Sequence, residues 1–550
     1  LKTLIVAGTA APQAPAVERS SAKSRVTAQA LSPSQEASPA KTYAADDWAR
    51  WILVLAFLSG VAFMTPVLWA GPLALDEHGT YWLTGPENPS TLAIRSLNYE
   101  NIPPLAPLIQ RAFLEVFGES EFVFRLPGIL CFWGAIAAAY WLGRDLQGPL
   151  LGSLTALILS CWPAVVSEVR LARVYGLSLL LATIGFWLAV RWLRAPDERR
   201  WGPLWALCAV ALMWTHYLNA FVVIFQFLTL LPIVLEGKHT TRWLFLCSCI
   251  VAVGGVPLIP SVLRMAEDGR HFGFQGDLPF WRDISKIWWL GLPAGWAAAR
   301  IVDRFVSRPV FGTVWVNRLP PVPLWLWGLV PALLVPIVCQ GDLASLANSR
   351  YRIGFAVPGA CFIAWMIVRN VRPLPAIAGC LMAATVATVT ADTPPWRLRR
   401  LGSVASREWR KIARIVGQEG IAGEPLFVQS GLGEGFLIPR DYRDPLMHDY
   451  TASRLGRFYL KQPHPRFALP FLWKSNGGMV RYFEERLEEL RDAEQPTFWV
   501  AAATDTDLNL ASLHGFQYLV RKAGGREQES HEFRTARLIH YTFAPVDPSK

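Results

Sequence analysis

The sequence predicts an all-α polytopic membrane protein, with about eleven transmembrane helices and a C-terminal soluble α/β domain. Three observations lead there. Of the 550 residues 52% are hydrophobic, 25 are tryptophan and only 17% are charged, a balance too apolar for an ordinary soluble enzyme. Apolar runs long enough to span hydrocarbon recur from residue 51 to residue 391. Beyond residue 391 the pattern changes to short alternations of helix-like and strand-like segments.

A crossing helix needs roughly 20 apolar residues. Runs of this kind fall at residues 51–70, 123–142, 149–166, 175–193 and 243–263. The run 201–235 is long enough for two helices, folded as a hairpin near His216 to Asn219. Later runs cover 323–339, 353–368 and 373–391, and a weaker one, 284–301, holds Gly and Pro and is either a crossing or a re-entrant segment. Residues 1–47, rich in Ala, Ser, Pro and Gln, have too few aromatics to bury a core and are expected to be a disordered cytoplasmic tail. Its first residues have an apolar run too short for a signal peptide.

The positive-inside rule orients these runs. With a cytoplasmic N-terminus, Arg144, Arg191, Arg194, Arg199, Arg200, Lys238, Arg242, Arg300, Arg304, Arg308, Arg369 and Arg372 fall inside. The long first loop, with Asp76, Glu77, Glu87, Glu100, Glu115, Glu119 and Glu121, falls outside. An odd number of crossings then sends the C-terminal region outside too. The expected organisation is a polytopic membrane domain over 48–391 and an outer α/β domain over 392–550. In that second domain, helices are expected at 406–417 and 480–491 and strands at 426–429, 497–501 and 538–543.

The net charge of +11 is spread through short loops rather than gathered on a basic face, which argues against nucleic acid as a partner. The eight cysteines (Cys131, Cys161, Cys208, Cys247, Cys249, Cys339, Cys361 and Cys380) lie in or beside apolar segments without metal-ligand spacing, and read as small core hydrophobes.

The most informative stretch follows the first crossing: Leu75-Asp76-Glu77-His78-Gly79-Thr80-Tyr81-Trp82. Adjacent acids at a membrane boundary sit where desolvation is expensive and are functional candidates. A solvated acidic loop is the alternative. The same loop continues with Asn101-Ile102-Pro103-Pro104-Leu105, Phe117-Gly118-Glu119-Ser120-Glu121 and Arg125-Leu126-Pro127. After the third crossing comes Ser167-Glu168-Val169-Arg170-Leu171-Ala172-Arg173-Val174-Tyr175. This order of motifs resembles the GT-C membrane glycosyltransferases, specifically the dolichyl-phosphate-mannose protein mannosyltransferase superfamily and bacterial relatives such as the lipid A aminoarabinose transferase. The resemblance covers residues 70–220 well and extends more loosely to 391. One departure is Ile102, where many bacterial relatives have His before the Pro-Pro pair, so that any role of that His is missing or moved to Asn101 or His78.

The resemblance implies an inverting transfer of a sugar from a polyprenyl-phosphate donor to a hydroxyl acceptor on protein, lipid or glycan, at the outer face of the membrane; it also implies a bacterial inner membrane, with 48–391 as the catalytic domain and 392–550 periplasmic. The leaving group is already a stable phosphate, so the chemistry needs a base for the acceptor and positive charge for the phosphate. By resemblance Asp76 is the base and Glu77 orients it or acts as a close like charge. Glu168 matches a second acidic position that, with Asp76, would help to hold Mg²⁺ or Mn²⁺; an ion pair with Arg170 or Arg173 is its alternative. Arg170, Arg173 and Tyr175 are candidates for binding the donor phosphate. An interfacial Arg also snorkels to headgroups, and this remains open for Arg173. Arg350 and Tyr351, with Arg352 beside them, match a pair linked in the family to the lipid phosphate; a plain interfacial anchor is the other reading. His216, in the turn of the hairpin, is a weaker candidate, since a lone His there is more often structural. The aromatic stretch 271–274 could cover the site, although interfacial packing explains it better.

Two rival classes remain. A lipid or sugar transporter would also carry intramembrane Arg and acids, but the crossings lack paired broken helices in matching halves. A scaffold with a membrane anchor needs one helix rather than about eleven.

Overall fold

The computed structural model describes residues 39–68, 71–85, 89–100, 102–269, 290–305, 326–327, 349–368, 373–389 and 404–543. The expected tail up to residue 38, Asn101, the aromatic stretch 271–274 and most of the run 323–339 lie outside the described residues. The first helix, Pro39–Leu68, begins inside the stretch expected to be tail, where Ala40, Ala44 and Ala45 favour helix.

Among the described residues five helices have the length and composition to cross a membrane: Asp47–Thr65, Glu121–Gln147, Tyr175–Arg194, Lys238–Asp268 and Arg350–Val368. The chain is a multi-pass membrane protein. The run expected as one crossing at 149–166 is a pair of helices, Pro149–Ser160 and Pro163–Val169, bent by 63°. Pro163 has no N–H to continue the ladder and starts the second helix at its favoured first position. The expected hairpin is present as Trp201–Met213 and Asn219–Leu230, with the turn between them at residues 214–218. Asn219 closes that turn by donating from Nδ2 to Ser178 Oγ, Thr215 Oγ1 and the Leu212 carbonyl, at 2.8–3.0 Å. The helices pack closely where small residues meet. A Cβ added at Gly152 would lie 2.4 Å from the Tyr140 carbonyl oxygen and 2.9 Å from the Arg144 nitrogen.

Between the first and second spans three short helices, Leu75–Thr84, Pro89–Asn98 and Leu105–Phe117, form a platform. The C-terminal region is a five-stranded sheet with helices Val404–Glu419, Gly477–Arg491 and Asp507–Lys522. Its strands are β1 (Leu426–Gln429), β2 (Arg466–Ala468), β3 (Thr497–Ala503), β4 (Arg526–Glu532) and β5 (Ala536–Thr542), in the order β2-β1-β3-β5-β4. Strand β1 is parallel to β2 and β3, while β5 is antiparallel to β3 and β4. Its core holds Phe427, Trp499, Val500 and Phe516, and Trp82 and Leu83 of the platform bury into the same apolar cluster. Platform and sheet domain are therefore docked.

Candidate active site

The site is built on helix Leu75–Thr84, which follows the first span after Gly71-Pro72-Leu73-Ala74. Ala74 at its start has no side chain to cap the free N–H groups, and Glu77 reaches back to accept from the Ala74 N–H at 2.7 Å. The same carboxylate is fully buried against Arg125, which donates from Nε to Oε1 at 2.7 Å and from Nη2 to Oε2 at 2.5 Å. Glu77 Oε1 also accepts from the Ala172 N–H at 2.7 Å, and Arg125 donates to the carbonyls of Gly71 and Pro72. The bidentate pair ties the helix after the first span to the start of the second, and the Ala172 N–H joins both to the segment before Tyr175–Arg194. The Glu77 charge is matched by Arg125 and two backbone amides.

Asp76 faces elsewhere. Its side chain is 41% exposed, and Oδ2 accepts from Arg350 Nη1 at 3.1 Å. Arg350 lies in the 3₁₀ turn Ser349–Phe355 that opens a late span, with its guanidinium 5.0 Å from the centre of the Tyr351 ring. Arg173 donates from Nη1 to the Asp76 carbonyl at 3.0 Å and to Thr80 Oγ1 at 2.7 Å, and forms an ion pair with Glu100. Burial pushes the Glu100 carboxyl up; Arg173 opposes this, and Glu434 and Asp76 add to it.

Among the expected residues, the structure brings Asp76, Arg173, Tyr175, His216, Arg350 and Tyr351 into one neighbourhood, with the charges of Arg350, Asp76 and Arg173 also felt at Glu168. The His216 ring lies between Tyr175 and Tyr351, with centroids 6.4 and 5.4 Å away. Its Nδ1 accepts from the Leu218 N–H at 3.2 Å. Burial, then Arg173 and Arg350, push its pKa down to about 3, so it stays neutral and acts as a packed turn residue.

Other candidates are separated from this group. Arg170 is fully buried and donates to the Phe63 carbonyl of the first helix, a tie between spans rather than a contact with Asp76. His78 is 2% exposed and packs edge-on against Tyr459 of the sheet domain at 5.6 Å. Burial, helped by Arg454 and Arg125, pushes its pKa down to about 3. Arg352 is half-buried in the turn with Arg350.

Glu100, Glu434 and Tyr450 join the group without having been singled out. Glu100 directly precedes the Asn101-Ile102-Pro103-Pro104 segment, which is the one sequence signal for it. Nothing in the sequence marks the other two, because they reach the site from the sheet domain.

A divalent cation held by Asp76 and Glu168 does not fit this donor set. Arg350 is already ion-paired with Asp76, so a metal there would stand beside a guanidinium. Among the described residues the three-ligand cluster is Glu419, Glu529 and His531, on the sheet domain.

Comparison with known proteins follows this geometry. The sequence model of the dolichyl-phosphate-mannose-protein mannosyltransferases matches residues 101–260, which contain Glu168 and Arg173. The chain resembles the GT-C membrane glycosyltransferases. No curated protein matches it by sequence. The crystal structures of ArnT from Cupriavidus metallidurans, in the apo state and bound to undecaprenyl phosphate, each superpose with a TM-score of 0.53 at 13% identity. Each superposition covers 90% of this chain and 98% of ArnT. The ArnT fold therefore extends over the spans, the platform and the sheet domain alike. An oligosaccharyltransferase of Archaeoglobus fulgidus aligns more loosely, with a TM-score of 0.46 and 11% identity over 91% of this chain and 75% of its own.

Proposed function

We propose that the protein is an inverting glycosyltransferase that moves a sugar from a polyprenyl-phosphate-linked donor to a hydroxyl acceptor at the outer membrane face. The observation that carries this reading is the Asp76–Arg350 pair, a half-exposed carboxylate 3.1 Å from a guanidinium on a distant span. That is a proton acceptor next to a phosphate-binding group, the two parts that this chemistry requires. The ArnT fold supports it, since one of the ArnT structures holds undecaprenyl phosphate.

In the transfer, the acceptor hydroxyl gives its proton to the Asp76 carboxylate as its oxygen forms a bond to the anomeric carbon. The bond from that carbon to the phosphate oxygen breaks, and the phosphate leaves on its lipid. Arg350, drawn from Asp76 towards the phosphate, and Arg173 offset the charge that develops on the leaving group. A single displacement inverts the anomeric carbon. Tyr175 and Tyr351 line the approach with the neutral His216 between them.

The same reading gives eleven crossings, a cytoplasmic tail, a catalytic domain over 48–391 and an outer domain over 392–550. Lys550 then lies outside a bacterial inner membrane, and Arg199 and Arg372 inside. Cysteine labelling from the two sides tests this; Lys550 on the cytoplasmic side would rule it out. The chemical test is Asp76→Asn in the full chain. Turnover should fall by about 10² to 10⁴, the usual share of a general base, while undecaprenyl phosphate still binds. Near-normal transfer by this variant would reject Asp76 as the base.

A further inference from the structure

The loop after β1, at the carboxyl end of the parallel half of the sheet, is turned towards the platform. It runs Ser430-Gly431-Leu432-Gly433-Glu434-Gly435, and crevices beyond the carboxyl ends of parallel strands are where such sheets place functional loops. Tyr450, on the helix Pro445–Thr451, is 1% exposed and donates its hydroxyl to Glu434 Oε1 at 3.0 Å. Its ring lies against Gly79, one turn beyond Asp76 on the same helix. A Cβ built at Gly79 would be 3.3 Å from Tyr450 Cε2, and 3.7 Å from both the Tyr450 hydroxyl and Glu100 Oε1. The charges of Asp76 and Arg173 act on Glu434, and the charge of Glu434 acts on Glu100. The carboxyl groups of Asp76, Glu100 and Glu434 and the guanidinium of Arg173 thus share one neighbourhood, and one of the carboxyls comes from the sheet domain.

The docking that brings Glu434 there is well fixed. Trp82 Nε1 donates to Asp449 Oδ2 at 2.6 Å, Tyr99 donates its hydroxyl to Asp444 Oδ2 at 2.9 Å, and the Leu73 N–H donates to the Tyr459 hydroxyl at 2.8 Å. Gly435 is needed for the fit of the loop, because a Cβ there would meet the Phe471 ring at 2.9 Å.

We propose, resting on the transferase reading above, that the C-terminal domain forms a wall of the active site, in which Glu434, held in place by Tyr450 as a positioning residue, draws the acceptor hydroxyl towards Asp76. The charge pattern assigns them to the acceptor rather than the donor. The donor presents a phosphate, which the guanidinium groups of Arg350 and Arg173 attract and a further carboxylate would repel. A neutral hydroxyl suits a carboxyl group, which can accept its proton in a hydrogen bond while Tyr450 holds the other side of that carboxyl. Burial raises the Glu434 carboxyl, in keeping with a group that shares a proton with an uncharged partner.

The experiment compares Glu434→Gln, Glu434→Asp, Tyr450→Phe, Asp76→Asn and Lys522→Ala in the full chain, each expressed in cells lacking the gene. Two quantities are read: the lipid or glycan species that disappears with the gene, by mass spectrometry, and the affinity of the purified chain for undecaprenyl phosphate. Glu434→Gln should lower product at least tenfold with lipid-phosphate affinity within twofold of the parent. Tyr450→Phe should lower product less, and Glu434→Asp should restore part of it. Lys522→Ala, on the exposed back of the same domain, should change neither quantity. Normal product in Glu434→Gln, with product lost in Asp76→Asn, would overturn this proposal alone. Equal loss of lipid-phosphate affinity and product in Glu434→Gln would overturn it as well, since the residue would then serve the donor or the fold. Normal product in Asp76→Asn would overturn the transferase reading and this proposal with it.

Discussion

Glu77 and Arg125 form a buried pair whose removal separates a structural from a chemical role. Both side chains have no exposure, and the carboxylate accepts four donors: two from Arg125 and the backbone N–H groups of Ala74 and Ala172. Glu77→Gln leaves the Arg125 charge without its counter-charge in a buried site, a change that typically destabilises by about 3–5 kcal/mol. The amide also offers one acceptor oxygen where two are used, leaving a backbone N–H or guanidinium N–H unsatisfied at about 1–3 kcal/mol. Arg125→Met should be destabilising to a similar degree, because it strands the carboxylate. The double variant Glu77→Gln/Arg125→Met should lose about as much as one single variant rather than the sum, since the buried charges leave together. The assay is thermal unfolding of the full chain in detergent, alongside binding of undecaprenyl phosphate. Glu77→Gln with unchanged stability and abolished transfer would refute this and return Glu77 to the chemistry.

Three further outcomes are expected. Arg350→Ala removes a charge-assisted contact of about 1.5–3 kcal/mol to phosphate, so affinity for undecaprenyl phosphate should fall about tenfold or more; unchanged affinity would make Arg350 an interfacial anchor. His78 is held neutral in the fold with a pKa of about 3, whereas the unfolded value is about 6.5. The unfolded chain therefore binds more protons below about pH 6.5, and stability is lost as pH falls, by up to about 1.4 kcal/mol per unit. His78→Phe should remove that slope, and identical pH profiles of the two proteins would contradict it. Gly152→Ala places a methyl group against the Tyr140 carbonyl, and overpacking of this kind costs about 1–3 kcal/mol. An unchanged melting temperature would show that the two helices are not in close contact.

Long-period features were legible in the sequence, and so were short strands with clear boundaries. The strand Leu426–Gln429 lies where it was expected, because Leu-Phe-Val is a compact apolar run with Pro425 before it and Gly431 after it. Residues 201–235 gave a hairpin because Thr215-His216-Tyr217 interrupts a continuous apolar pattern. The bend at Trp162-Pro163 was hidden, since the run is apolar on both sides and length alone treats it as one crossing. Within the site, the Asp76-Glu77 pair stood out at the membrane boundary. Which acid faces the cleft depends on Arg125 and Arg350, and their approach is a property of packed helices. Glu434 and Tyr450 carried no signal at all: a carboxyl in a glycine-rich loop and an ordinary tyrosine acquire meaning only when the sheet domain docks.

That docking also sets an order of events in biosynthesis. The N–H of Leu73 is bonded to a residue 386 positions later, and the indole of Trp82 to one 367 positions later. Chains emerge N-terminal end first and domains fold as units, so helix Leu75–Thr84 is made long before its partners in the sheet domain exist. Until the sheet domain folds, Trp82 lacks Asp449 and Tyr450, Leu73 lacks the Tyr459 hydroxyl, and Glu434 is missing from the group of charges around Asp76. A chain interrupted after its spans would carry Trp82 bare on the platform, without the Asp449 and Tyr450 contacts that cover it once the sheet domain has docked.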